Sequence, residues 1–551
     1  MTTDQFFGID IKPFAVELAK VTLMIAKEMT WLENKEDHDN KSKPLPLDNL
    51  DQNIVCADAL IDENGKPRHW PEADAIIGNP PYQSKNKMQQ EFGEEYMYHL
   101  RLAYPEIPGR ADFCVYWFHK AHQHLKPGNF AGLVGTNTIR QNYSREGSLD
   151  YIVKNGGTII NAVSSQDWSG DAAVFVSIVN WTKGEYRFPK QLYYFDAKNH
   201  LQCKEQQEIS SSLSTKTDVA GAKVLACNRK PKKVFQGQTH GHEGFLLKKS
   251  EGLALLKKYP EYAEVLKPFL IGDELISNFK SQPDRFVIDF SHHDLIQAST
   301  FKFLFQHLEK EVLPDIEKKA KDEKEGITKS NGRMAQLNMW WKMWRKREDM
   351  LKETSKLNRY ISCARVTKRP IFQFVSSEIR PNDALMVFAL EDDYSFGIIN
   401  SVFHWNWFIE KCSTLEDRLR YTTDSVWDTF PWPQQPTAIQ IEAVAKAAKT
   451  LRDERNRITQ ENHLSLRDLY RIVEKPGKNP IRDLQSILDH AVAASYGFSE
   501  KQDMLAQLLA LNLSVSAREE FGEPVQSPGL PDWYANKEML ISDDCVRFEV
   551  Q

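Results

Sequence analysis

Residues 75–82 read Ala75-Ile76-Ile77-Gly78-Asn79-Pro80-Pro81-Tyr82. An apolar run of buried-strand length stops at a glycine and enters a turn made of an amide, two prolines and an aromatic. This set suits an amino group on a flat ring. The lone pair of such an amine is delocalised into the ring. Acceptors aimed at both of its hydrogens draw the nitrogen toward tetrahedral geometry, which is electrostatic preorganisation. The amide oxygen of Asn79 can take one hydrogen and the carbonyl of Pro80 the other. Prolines fix φ and carry no N–H that would need a partner. Tyr82 offers a face on which an unstacked base can lie. The plainer alternative is a strand closed by a Pro-Pro turn. A functional tip at the carboxyl end of a buried strand also constrains the fold, because it belongs to a parallel sheet in an α/β unit.

Two further strands of the same kind precede this one. Phe6-Phe7-Gly8-Ile9-Asp10-Ile11 ends in an acid, and Pro13 follows at a first helical position before the apolar set Phe14, Leu18, Val21, Leu23 and Ile25. Asn53-Ile54-Val55-Cys56-Ala57-Asp58-Ala59-Leu60 ends in another. An acid at such a tip grips a ribose diol or a ring amine in doubly wound sheets. It serves equally well as a helix cap or turn aspartate. Three functional tips in succession would lie on one edge of one sheet. Strands are then expected over 130–135, 158–164 and 172–181, with a helix within 109–125 closed by Lys126-Pro127-Gly128. The tip Thr136-Asn137 belongs to the same edge. The loop Asp167-Trp168-Ser169-Gly170-Asp171 carries one large aromatic, either the second face of a base sandwich or a loop anchor. This α/β unit closes near residue 190.

Residues 191–245 read as a mixed, polar connecting segment, and 246–436 as a mixed α+β domain. Residues 437–551 are a helical C-terminal region, entered after the rigid Phe430-Pro431-Trp432-Pro433. The net charge of −5 means that any surface for nucleic acid has to be local. One window qualifies. Lys329, Arg333, Lys342, Arg345, Lys346 and Arg347 occur with Trp340, Trp341 and Trp344 and without an acid, and Arg365 and Lys368 follow. Cations neutralise phosphates and aromatics pack on sugars or bases. The alternative is a charged helix whose tryptophans face a core. The seven cysteines form no C-x-x-C pair, so neither a metal site nor a disulfide framework is expected, and a reducing cytoplasm fits. No run of 18 apolar residues suggests a membrane span.

Taken together, these residues resemble the amino-methyltransferases of DNA that use S-adenosylmethionine, in particular the large adenine-N6 group that includes the type IIL restriction–modification enzymes. The resemblance implies a Rossmann-like class I methyltransferase sheet, a mixed α+β target-recognition domain and a helical C-terminal region. It assigns Asn79, Pro80, Pro81 and Tyr82 to catalysis. Asp10-Ile11 go to the cofactor ribose, Asp58-Ala59 to the cofactor adenine, and Trp168 with Tyr82 to the flipped base. The segment 365–432 resembles the end of the family's recognition domain. One departure stands out. The family's first strand and Gly-rich cofactor turn should precede Gly8 by some tens of residues, and only seven residues stand there. The expectation is weak cofactor binding by this chain alone, as in a truncated product, part of a split enzyme, or an enzyme whose partner chain supplies the motif. Double-stranded DNA is the expected partner. A non-catalytic DNA-recognition subunit, cytosine-N4 methylation and methylation of a protein glutamine remain as alternatives.

Overall fold

The computed structural model describes residues 2–33, 49–168, 174–196, 200–277, 281–327, 332–415 and 418–548. It divides into two compact units, Met1–Lys216 and Thr217–Gln551.

The first unit opens with a βαβ motif. Strand β1 (Gly8–Asp10), helix α1 (Pro13–Glu33) and strand β2 (Ile54–Cys56) follow in order. The strands pair in parallel from Gly8↔Ile54 to Asp10↔Cys56. One face of α1 closes a small core in which Val16, Leu50 and Ile54 are buried and Leu23 is partly so. Next come β3 (Ala75–Gly78), α2 (Lys85–Ala103), α3 (Val115–His124), β4 (Phe130–Thr136), α4 (Asn142–Gly147) and α5 (Leu149–Lys154). Strands β5 (Gly157–Asp167), β6 (Phe175–Lys183), β7 (Lys190–Phe195) and β8 (Leu201–Gln206) complete the unit. Strands β3 to β8 form one sheet in the order β3-β4-β6-β5-β7-β8. Strand β3 is parallel to β4 and β5 to β7; the remaining pairs are antiparallel. The core below this sheet gathers alternate residues of its strands, such as Leu133, Ile159, Val179 and Leu192, with the buried face of α3. Phe118 of α3 stacks on Trp181 of β6 at 5.7 Å between centroids.

The stretch 191–245 is structured rather than merely connecting. Strands β7 and β8 form a hairpin at the sheet edge, and Val234–Gln236 is a strand of the second unit. The mostly exposed residues of β8, Leu-Gln-Cys-Lys-Glu-Gln, explain why an edge strand reads there as a polar loop.

Among its described residues the second unit forms three small sheets. One is fully antiparallel, in the order Gln373–Ser376, Arg359–Ala364, Leu385–Phe388, Val234–Gln236. Another runs Leu246–Lys248, Arg285–Ile288, Leu266–Leu270, Arg380–Pro381. The third joins Val366–Thr367 to the hairpin Arg418–Arg420 and Ser413–Leu415. Helices Ala438–Glu461, Leu466–Val473, Pro480–Tyr496 and Met504–Glu520 follow the sheets. They share one core with the antiparallel sheet. The region 302–359 is helical in pieces, Lys302–Glu311, Leu313–Lys324, Arg333–Leu337 and Glu348–Thr354, and the tryptophan-bearing residues 338–347 are turns and bends.

A buried ion network ties helix Ala438–Glu461 to this sheet. Arg452 and Arg359 donate to Asp393 at 2.6 and 3.0 Å and to Asp544 at 2.8 and 3.3 Å. Both guanidinia lie over Phe374, at 4.9 and 3.5 Å from its ring centre. Burial by itself raises the Asp544 carboxyl. The hydrogen bond and charge of Arg452, with Ser542 and Arg359, outweigh it and bring the group down to about 2. An acid held below its unfolded value stabilises the fold above that value and loses the contribution as pH falls. Stability is therefore expected to decline between about pH 4 and pH 2, and urea titrations of Asp544→Asn should lack that part of the decline. Removing one partner of a buried pair strands the other, so Asp393→Ala should cost about 3–5 kcal/mol in the same titration at neutral pH.

Candidate functional site

In the first unit the parallel register Gly78↔Leu133 ends β3 while β4 continues for three more residues, to Thr136. The turn Asn79-Pro80-Pro81-Tyr82 thus emerges beside the overhanging tip of β4. Pro80 is buried, Asn79 and Pro81 are exposed, and Tyr82 is half-buried. The Tyr82 hydroxyl donates to Asn79 Oδ1, so the amide oxygen is held in place by the phenol three residues on. Burial, with Cys114 nearby, pushes the Tyr82 phenol up to about 12. It is therefore a neutral donor and a neutral stacking face at ordinary pH. The ring of Trp168 stands 6.1 Å from that of Tyr82, at 88°. Sequence distance hides this juxtaposition, and the structure creates it. The ring planes are nearly perpendicular, so in this structure Trp168 is not aligned as a second, parallel face for a base lying on Tyr82.

A group that sequence reasoning missed supports this turn. Asp112 Oδ2 accepts from Thr138 at 2.6 Å and from Thr136 at 3.2 Å, and the two hydroxyls bond each other at 2.7 Å. The Asp112 amide donates to Ser144 Oγ, and the next amide, that of Phe113, donates to the carbonyl of Gln83. A partly buried acid and the amide after it thereby tie the β4 tip to the residue following Tyr82. Its signal in the sequence was an acid set immediately before the apolar run Phe113-Cys114-Val115-Tyr116.

The two acid-tipped strands lie side by side, and the Ala57 amide donates to the Asp10 carbonyl. Asp10 is exposed. Its Oδ1 accepts from the Lys12 amide at 2.7 Å, the geometry of a turn aspartate at the start of α1, and Ile11 is exposed beside it. Asp58 Oδ1 accepts from the amides of Leu60 and Ile61, and Oδ2 from Tyr96 at 2.8 Å; the Ala59 carbonyl accepts from Trp70. Both acids therefore serve local turns. An ionised carboxylate has about four acceptor positions, so Asp10 retains capacity for a hydroxyl and Asp58 for one further N–H. These residues fit the ribose and adenine ends of S-adenosylmethionine. Among the described residues of this unit, no Gly-rich turn offers backbone amides for its amino-acid end.

In the second unit the basic residues separate into two groups. Arg333 donates to Gln336 and lies over Trp344 at 4.8 Å; Lys342 donates to the Ser291 carbonyl; Lys346 pairs with Glu348. Trp340 and Trp341 pack against the core around Phe305 and Leu308. These residues serve the local fold. Lys329 lies outside the described residues, and Lys368 is exposed. Arg345, Arg347 and Arg365, by contrast, converge with Arg420, which sequence reasoning missed. Burial depresses the Arg365 guanidinium, and the neighbouring charges of Arg420, Arg347 and Arg345 depress it further, with Asp383 opposing. Arg347, at a positive φ of 57°, donates to Gln236 and the Gly237 carbonyl. The Arg420 Nε is buried without a hydrogen-bond partner among the described residues. The sequence alternation Arg418-Leu419-Arg420 was the available signal.

Residues 1–194 match the family model described as the MmeI DNA-methyltransferase domain, and residues 223–434 match the MmeI target recognition domain. The two spans cover well over half of the chain. The chain belongs to the MmeI family. It is 24% identical over 539 residues to DNA methyltransferase A of Bacillus subtilis (strain 168), an alignment covering 94% of this chain and 57% of that protein. It also resembles the type IIL restriction–modification enzyme MmeI, solved in complex with DNA. The TM-score is 0.71 at 20% identity, over 94% of this chain and 67% of that one. This likeness shows the shared fold, a class I methyltransferase sheet followed by a recognition domain. The chain spans little more than half the length of its curated relative.

The Asp112 cluster makes a stability prediction. Burial raises its carboxyl above the ordinary value, against the pull of Thr138 and Thr136, so its ionisation costs stability as pH rises. Asp112→Asn keeps acceptors for the two hydroxyls without the charge. It should be no less stable than the parent above about pH 5, whereas Asp112→Ala should lose about 1–3 kcal/mol in urea unfolding.

Proposed function

We propose that this chain methylates the N6 amine of adenine within a specific double-stranded DNA sequence, using S-adenosylmethionine, as part of a cytoplasmic restriction–modification or phage-defence system. The observation that carries the reading is the Asn79-Pro80-Pro81-Tyr82 turn at the tip of a parallel strand, with the Trp168 ring against that of Tyr82. The target adenine leaves the duplex at a cost of about a few kcal/mol and lies on Tyr82. Its amine donates to Asn79 Oδ1 and the Pro80 carbonyl, displacing or sharing the bond from the Tyr82 hydroxyl. Those two acceptors localise the lone pair on nitrogen and aim it away from the ring plane. The cofactor supplies an electrophilic methyl group on a sulfonium. Asp10 would hold its ribose and Asp58 its adenine, with Ile11 and Ala59 alongside. The amine proton is lost to solvent.

In the second unit, Arg345, Arg347, Arg365 and Arg420 receive DNA phosphates or base edges, which relieves their mutual repulsion. Cytosine N4 poses the same lone-pair problem, and the tetrapeptide serves it equally. A chain that reads DNA while another chain completes the cofactor site is the second reading, favoured by the absence of a Gly-rich turn among the described residues of the first unit.

Two measurements test the proposal. Asn79→Ala should lower transfer of labelled methyl groups into duplex DNA by a factor on the order of 100 or more while DNA affinity is retained; unchanged transfer overturns the catalytic assignment. Arg420→Ala should weaken DNA binding and reduce the slope of log K against log salt by about 1. An unchanged slope removes Arg420 from the DNA surface.

A further inference from the structure

The second unit contains a cavity of about 600 Å³, apart from the arginine cluster described above. Its walls are one face of helix Ala438–Glu461, strand Gln373–Ser376 and the segment Asp543–Arg547. That segment is laid along the strand by two bonds. The Val546 amide donates to the Phe374 carbonyl, and the Ser376 amide donates to the Val546 carbonyl. Arg455 stands in the helical wall and is 3% exposed. Its Nη1 donates to the Phe372 carbonyl at 2.9 Å. Its Nε is buried without a hydrogen-bond partner among the described residues. No carboxylate among those residues pairs with it. The buried acids close by are committed elsewhere, because Asp393 and Asp544 are shared between Arg359 and Arg452. A buried charge without a counter-charge is costly, and a buried donor left without a partner calls for one.

We infer that this cavity binds a nucleoside monophosphate, with the phosphate on Arg455. The volume lies within the range of pockets for small organic molecules, about 300–1,000 Å³, and exceeds what a bare ion needs. A guanidinium has five N–H donors in a planar fork. Having donated once to a carbonyl, that of Arg455 keeps enough for a phosphate, which such a fork meets in bidentate fashion. Asn456, Gln460 and Gln282 add carboxamides to the wall. Each presents a donor and an acceptor side by side, the pattern that pairs with the edge of a base. Along helix Ala438–Glu461 the lining is graded. Arg455 and Thr459 are buried, Asn456 is half-buried and Gln460 is exposed. The cation therefore lies at the floor and the carboxamides toward the mouth, so the phosphate enters first and the base stays outward. At the mouth Asp543 and Arg547 are exposed and opposite in charge, which leaves the entrance open to an anion. A DNA duplex is too broad to bring a phosphate to this depth. The inference does not rest on the methyl-transfer reading, whose catalytic residues lie in the first unit.

The test titrates the full chain by calorimetry with AMP, GMP, CMP and UMP, with inorganic phosphate, and with a short DNA duplex. One-to-one binding of at least one mononucleotide is expected, tighter than that of inorganic phosphate. Arg455→Met should weaken it by about tenfold or more, the loss of a charge-assisted bond. The same variant should leave the urea midpoint of the ligand-free chain unchanged or raised, because it removes a buried charge that has no counter-charge. A lowered midpoint would mark Arg455 as structural and count against the inference. Gln460→Ala changes an exposed side chain and leaves the core intact. It should weaken binding by about threefold or more. Absence of binding by all four mononucleotides, binding unaltered in both variants, or inorganic phosphate bound as tightly as every mononucleotide overturns the inference. So does competition by the duplex for the bound mononucleotide, which would place that ligand on the DNA surface instead.

Discussion

The parallel pairing of β3 with β4 is the constraint on which the chemistry of the first unit depends. Its register stops β3 three residues short of the end of β4, so the chain must turn beside an overhanging strand tip. Two prolines make that turn stiff and free of unpaired donors. Asp112 then fastens the overhang through Thr136 and Thr138, and the Phe113 amide fastens the exit of the turn. The amide of Asn79 is thereby presented on a braced support. On the proposed reading, acceptors fixed in advance are the useful kind, and only the bond from the Tyr82 hydroxyl has to yield to an arriving amine.

Much of this was legible in the sequence because the first unit obeys short-range rules. The apolar run 75–78 forms strand β3, although three of its four residues are exposed where a buried strand was expected, and the region after residue 437 is helical as expected. Register and distance were not legible. Asp112 and Thr136 are 24 residues apart, and Trp168 and Tyr82 are 86 apart; nothing in either local pattern couples them. The edge hairpin β7–β8 was missed because edge strands are polar by design against aggregation. The basic window misled in part for the opposite reason. Its composition is continuous, but Arg333, Lys342 and Lys346 are turned toward local partners while Arg345 and Arg347 join residues from a distant hairpin.

The two strand-tip acids show why the alternatives of cap and ligand-holder are not exclusive. Asp10 binds the Lys12 amide and Asp58 binds two amides and a phenol. These bonds orient the carboxylates while leaving acceptor capacity. A carboxylate used to shape its own turn is a better-placed acceptor for a ribose hydroxyl or a ring amine than a free one, because its rotamer entropy is already lost.

The arginine cluster poses the reverse situation, a site that is not satisfied by its own surroundings. Asp383 is the charge that opposes the mutual repulsion of Arg345, Arg347, Arg365 and Arg420 at Arg365 and at Arg347. Like charges in a partly buried setting disfavour one another, and the Arg420 Nε is buried without a partner among the described residues. The antiparallel pairing of Arg418–Arg420 with Val366–Thr367 nevertheless sets Arg420 beside Arg365. Stability alone would favour replacing at least one of the four by a neutral side chain. Guanidinia present planar, bidentate donors suited to phosphate and to the acceptor edge of guanine. On the proposed reading, an incoming polyanion would offset that repulsion.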